Sequence, residues 1–110
     1  MPGLDAKSCV PCRGDVPALT DAQIVPLLNQ VRGWEVVNNH HLTKSLSFPD
    51  FAAALAFVNR VGEVAEREGH HPDLTLSWGK VGITLLTHKV DGLTESDFIL
   101  AAKIDALPRG

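Results

Sequence analysis

Two runs of alternating apolar and polar residues, Leu74-Thr75-Leu76-Ser77-Trp78 and Val81-Gly82-Ile83-Thr84-Leu85-Leu86-Thr87-His88, stand either side of Gly79-Lys80. Alternation of period two marks a half-buried strand, and a Gly-X pair between two such runs predicts a two-residue hairpin loop. That loop would set Trp78 opposite Val81, Leu76 opposite Ile83 and Leu74 opposite Leu85. These residues are all apolar and share one face. Register matters here because a slip of one residue would turn the whole set to solvent. An antiparallel hairpin with one apolar face needs a cover, and that requirement constrains the rest of the chain.

Three helical patterns supply the expected cover. Thr20-Asp21-Ala22-Gln23 matches a capping box and leads into Ile24, Leu27, Leu28 and Val31 at helical spacing, with Gly33 as terminator. Pro26 lies beyond the first turn and is expected to kink that helix or delay its start. Pro49 can open a second helix, with Phe51, Leu55, Val58, Val61 and Ala65 as its apolar stripe and an end near Glu68-Gly69. Thr94-Glu95-Ser96-Asp97 caps a third, which carries Phe98, Ala101, Ala102 and Ile104 and stops before Pro108. Trp34 to Val37 and Leu42 to Phe48 read as strands joined at Asn38-Asn39, and His40-His41 read as a turn and strand start with no site role. The expected fold is α+β, in the order α-β-β-α-β-β-α. A four-stranded antiparallel sheet carries three helices on one face. Residues 1–19, with Pro2, Gly3, Pro11, Gly14 and Pro17, read as an irregular N-terminal arm, and 20–110 as a single domain.

Composition narrows the function classes. The chain has 110 residues, 45% apolar and 21% charged, as a soluble globular protein does. A net charge of −3 and a pI near 5.9 give no basic footprint for nucleic acid. The first residues include Asp5, Lys7, Arg13 and Asp15 and no apolar run. No signal peptide and no membrane span are expected, and the cytoplasm is the expected compartment. Cys9 and Cys12 form a lone CxxC. A structural zinc usually takes four ligands and no second such pair exists, so these cysteines are expected to have no catalytic duty.

The chemistry is concentrated between Glu66 and Asp97: Glu66, His70, His71, Pro72, Thr87, His88 and Asp97. Imidazole gives and takes protons near neutral pH without a perturbed pKa. Extending the hairpin register puts His71 opposite His88, with Cβ atoms roughly 5 Å apart, on the face away from Leu74 and Leu76. His70 and Glu66 belong to the preceding helix end, so all four groups are expected at one end of the hairpin. Singly, each has a plainer reading. Glu66 can be a solvated helix carboxylate and Asp97 the last member of a capping box. Their convergence favours acid–base work on a bound molecule. A metal site built from His70, His71, His88 and Glu66 is the competing chemistry, although no i,i+4 histidine pair stands on a helix.

Together these residues resemble the pterin-4a-carbinolamine dehydratases, whose pattern is acidic-x3-His-His-Pro-x5-aromatic-x9-His-x8-Asp. Glu66, His70, His71, Pro72, Trp78, His88 and Asp97 meet it without gap or insertion. Gly33-Trp34, Pro49-Asp50-Phe51 and Gly92-Leu93-Thr94 also look like landmarks of that family, and the similarity spans about residues 20–107. The cysteine-containing arm is similar to that of bacterial members, while Pro26 is a departure. The resemblance implies dehydration of a 4a-hydroxytetrahydropterin to a quinonoid dihydropterin, which recycles the cofactor of aromatic amino-acid hydroxylases. It implies a homodimer or homotetramer, no cofactor and no metal. It also implies His70 and His88 as the acid–base pair and His71 as a pterin-orienting member of the catalytic set. Glu66, Pro72, Trp78, Thr87 and Asp97 would bind substrate or support the histidines. Some proteins similar to this family act instead as assembly factors or transcriptional cofactors, which is the alternative function.

Overall fold

The structure is a computed structural model that describes residues 3–7 and 17–108. Cys9 and Cys12 lie outside the described residues. The elements are α1 (Asp21–Leu28), β1 (Glu35–Val37), β2 (His41–Ser47), α2 (Phe51–Glu68), β3 (Asp73–Ser77), β4 (Lys80–Leu85) and α3 (Glu95–Asp105). Single 3-10 turns occupy Leu4–Ala6 and His88–Val90. The fold is the expected α+β domain, with every strand pair antiparallel and the sheet ordered β1-β2-β4-β3. No described helix is long and apolar enough to cross a membrane.

The central pair is β2 with β4, and its register carries the apolar rows across the sheet. Val36, Leu42 and Leu85 stand in one row, and Leu46, Val81 and Leu76 in another. Residues of the other parity, including Ser45, Gly82 and Thr75, form a polar outer face. The helices cover the apolar face. α2 buries Ala54, Phe57, Val61, Val64 and Ala65, and α3 buries Phe98 to Ala101 and Ile104. α3 touches α1, α2 and the Leu4–Ala6 turn, where Leu4 is also buried, and its middle, residues 98–102, is apolar all round.

Three details depart from the sequence reading. The hairpin loop is Trp78-Gly79, not Gly79-Lys80. Leu76 pairs with Val81 and Leu74 with Ile83, and Ser77 with Lys80 closes the ladder. The cause lies in β2, which runs beside β4 as far as Ser47 opposite Lys80 and then places the Phe48 N–H on the Gly79 carbonyl at 2.8 Å. A side chain at Gly79 would bring Cβ to 2.9 Å from the Phe48 carbonyl oxygen, so glycine serves close approach in this loop. Trp78 is left 69% exposed in the turn. Next, the buried stripe of α2 is rotated from the expected one, leaving Phe51 and Leu55 exposed at 43% and 41%. Finally, α1 ends at Leu28, well before Gly33. Pro26 sits inside α1 and cannot donate a backbone hydrogen bond, and only two further residues remain helical.

Candidate active site

The site begins where α2 ends. Gly69 takes the left-handed conformation at φ 66, and both its N–H and that of His70 donate to the Ala65 carbonyl. A residue with Cβ is strained there, and glycine lets the chain reverse at once. The reversal tucks His70 inward, 5% exposed, and leaves His71 outside.

His70 Nε2 lies 2.6 Å from Asp97 Oδ1, and Asp97 is fully buried. The other carboxylate oxygen, Oδ2, accepts from the Thr87 hydroxyl at 2.9 Å and from the Thr94 N–H at 2.9 Å. The Thr94 hydroxyl stands 2.8 Å from that of Thr87. Because Thr87 donates to the carboxylate, Thr94 must donate to Thr87. An ionised carboxylate accepts all of these bonds at once, which is how a buried charge is tolerated. Asp97 thereby places a proton of His70 on Nε2 and fixes the ring.

His71 Nε2 is hydrogen-bonded to Glu66 Oε2 in the last turns of α2. Both groups are exposed, so the bond orients the imidazole more than it stabilises the fold. His88 opens the His88–Val90 turn directly after β4 and is exposed. The base of that turn is closed by Thr87 N–H donating to the Gly92 carbonyl at 2.8 Å, and its end by Asp91 at φ 51.

His70, His71 and His88 line one cleft of about 220 Å³ with Gly69, Leu86 and Lys89. The structure therefore brings together the histidines that the sequence singled out, with Glu66, Thr87 and Asp97 hydrogen-bonded around them. The predicted cross-strand pairing of His71 with His88 does not occur. The ladder stops at Asp73 opposite Thr84, and His88 is already in its 3-10 turn. They still share the cleft, because β3 begins and β4 ends at the same edge of the hairpin. Trp78 lies at the other end of β3 and does not line the cleft, and neither does Pro72. Leu86 and Lys89 were not among the site residues expected from the sequence. Leu86 breaks the alternation straight after Leu85, a sign that the strand was ending. Among the described residues, no group of three or more His, Cys, Asp or Glu is placed to hold a metal ion.

The sequence pattern of the family described as pterin 4 alpha carbinolamine dehydratase matches residues 17–107. A protein of Rubrobacter xylanophilus bearing that family's name is 55% identical over 97% of this chain and 100% of its own length. Another, from Alkaliphilus metalliredigens, is 50% identical over 96% of each. Among solved structures, a transcriptional coactivator/pterin dehydratase from Brucella melitensis superposes with a TM-score of 0.76 at 33% identity, covering 81% of this chain and 96% of that one. A pterin dehydratase-like protein described as a RuBisCO assembly factor in the alpha-carboxysome is also similar, with a TM-score of 0.59 at 26% identity over 68% of this chain and 88% of that one.

Proposed function

The chain belongs to the pterin-4a-carbinolamine dehydratase family, and from that premise we propose that it removes water from a 4a-hydroxytetrahydropterin. The C4a–O bond breaks, a proton joins the departing hydroxyl, N5 loses its proton, and the N5=C4a double bond forms. The products are quinonoid dihydropterin and water. The reaction needs one group that gives a proton and one that takes a proton, which two histidines of opposite protonation state supply. His70 and His88 take these roles. His71, held by Glu66, orients the ring. Asp97 and Thr87 act through His70. Recycling the pterin of an aromatic amino-acid hydroxylase is the physiological role this reaction fits.

One observation carries the reading: His70, His71 and His88 face one cleft, with a fully buried, fully hydrogen-bonded Asp97 behind His70. An assembly factor or transcriptional cofactor, the role attached to similar proteins, needs a surface and has no use for that arrangement. The test is the rate of dehydration of a freshly generated 4a-hydroxytetrahydropterin, with no metal added. We expect acceleration over the spontaneous reaction, and for His88→Ala a loss of about 10²–10⁴-fold with the fold intact by circular dichroism. A wild-type protein that adds nothing to the spontaneous rate would overturn the enzymatic reading.

A further inference from the structure

His40 and His41 stand outside the cleft, yet they are joined to the turn that carries His88. The β1–β2 hairpin turns at Asn38 and Asn39, both with positive φ, and the His40 N–H closes the turn on the Val37 carbonyl at 2.9 Å. His41, the first residue of β2, is fixed in the sheet opposite Val37. His40 Nδ1 lies 3.0 Å from His41 Nδ1, with the rings edge to face. His40 Nε2 lies 2.7 Å from Asp91 Oδ1. A neutral His40 that donates Nε2–H to the carboxylate has a lone pair on Nδ1, so His41 donates Nδ1–H to it. The bonds therefore run in one direction, from the rigid strand through His40 to Asp91.

Asp91 is the residue that ends the His88 turn. Its backbone N–H donates to the His88 carbonyl at 3.2 Å, and its φ of 51 is unusual for a residue other than glycine. The turn is fastened at its base by the bridge of Thr87 with Gly92. The Asp91 side chain is a second fastening, to a different hairpin. His88 is exposed, and among the described residues no side chain is hydrogen-bonded to its ring, so its direction depends on the backbone beneath it. Small errors in the placement of a proton-transfer group cost rate steeply.

We propose that His40, held by His41 and bonded to Asp91, is a positioning residue for His88. The proposal rests on the dehydratase reading of the site, and its test has one arm that does not. In the kinetic arm, His40→Ala and Asp91→Gly are each expected to lower kcat by roughly three- to tenfold with little change in KM. Glycine is chosen at 91 because it accepts the left-handed φ. The double variant should lose no more than either single one, since one bond is lost in every case. His40→Gln, whose amide N–H can stand near the position of Nε2, should recover most of the rate. In the second arm, amide hydrogen exchange at residues 88–91 should quicken in His40→Ala while the exchange of β2 and β4 is unchanged. A His40→Ala enzyme with wild-type kcat, or losses that multiply in the double variant, would overturn the positioning role. If the wild type proves inactive, the dehydratase reading fails, and the exchange arm alone decides whether the fastening exists. Unchanged exchange at 88–91 would remove it.

Discussion

Asp97 serves two purposes with two oxygens. Oδ2 caps α3 by accepting the Thr94 N–H and also takes the Thr87 hydroxyl, while Oδ1 holds His70. The sequence offered capping and site support as alternatives for this residue, and the carboxylate that caps α3 is also the one bonded to His70. Helix α3 starts where the carboxylate at its third position, Asp97, can reach both the N-cap and an imidazole arriving from the end of α2. Asp97→Asn tests this. The amide keeps the shape but brings two N–H groups toward donors that previously met a carboxylate. If its oxygen stays on His70, the nitrogen faces the Thr94 N–H, and a buried donor is left without an acceptor. The expected cost is about 1–3 kcal/mol in urea unfolding. Dehydration should slow on the order of 10²-fold or more, because the His70 tautomer is no longer held. A variant as stable and as fast as wild type would mean that the carboxylate's charge matters to neither purpose.

The β3–β4 hairpin shows how far an element can be read from its residues. Its faces were legible, because parity fixes which side chains share a side, and Leu74, Leu76, Val81 and Ile83 do face the core. Its register was not, because a shift by two residues preserves parity and leaves the apolar set where it was. What settles the register is contact with β2, from Ser47 opposite Lys80 to the Phe48 N–H on Gly79. A local turn rule cannot see that contact. Gly79→Ala puts the argument to a measurement. The new Cβ would press on the carbonyl of Phe48, a residue whose own N–H is bonded to the Gly79 carbonyl, so neither can withdraw cheaply. A loss of about 1–3 kcal/mol in denaturant stability is expected, with the histidine cleft at the other end of the hairpin and its activity little changed. An unchanged midpoint would show that the loop relaxes freely. The sequence reached the cleft through the pairing of His71 with His88, which does not occur, yet the cleft is there. It depends on which ends of the elements meet, which topology fixes, and not on the pairing of individual residues.

At the scale of the whole molecule, the rotated stripe of α2 is the informative difference. The sequence spread apolar residues over more of that helix than one core can use. Ala54, Phe57, Val61 and Val64 went inside, and Phe51 and Leu55 stayed out. Trp78, in the turn beside Phe48, adds a third large apolar side chain at the surface. Isolated exposed leucines need no explanation, but Phe51 and Leu55 lie one helical turn apart on the same face. The chain is short, and β1 and β3 are open sheet edges. We therefore expect self-association through the Phe51 and Leu55 face of α2. Light scattering at micromolar concentration should give a mass that is a multiple of 11.8 kDa. Phe51→Glu with Leu55→Glu should shift it toward the single chain, because burying two carboxylates without partners costs more than the apolar contact returns. The same double variant should stay folded, since neither side chain belongs to the core. Dehydratase activity per chain should then report whether the cleft depends on the assembly. If the wild type already scatters as a single chain, the exposed face has another purpose. If the double variant associates as before, the contact lies elsewhere, with the open edges of β1 and β3 next to be tested.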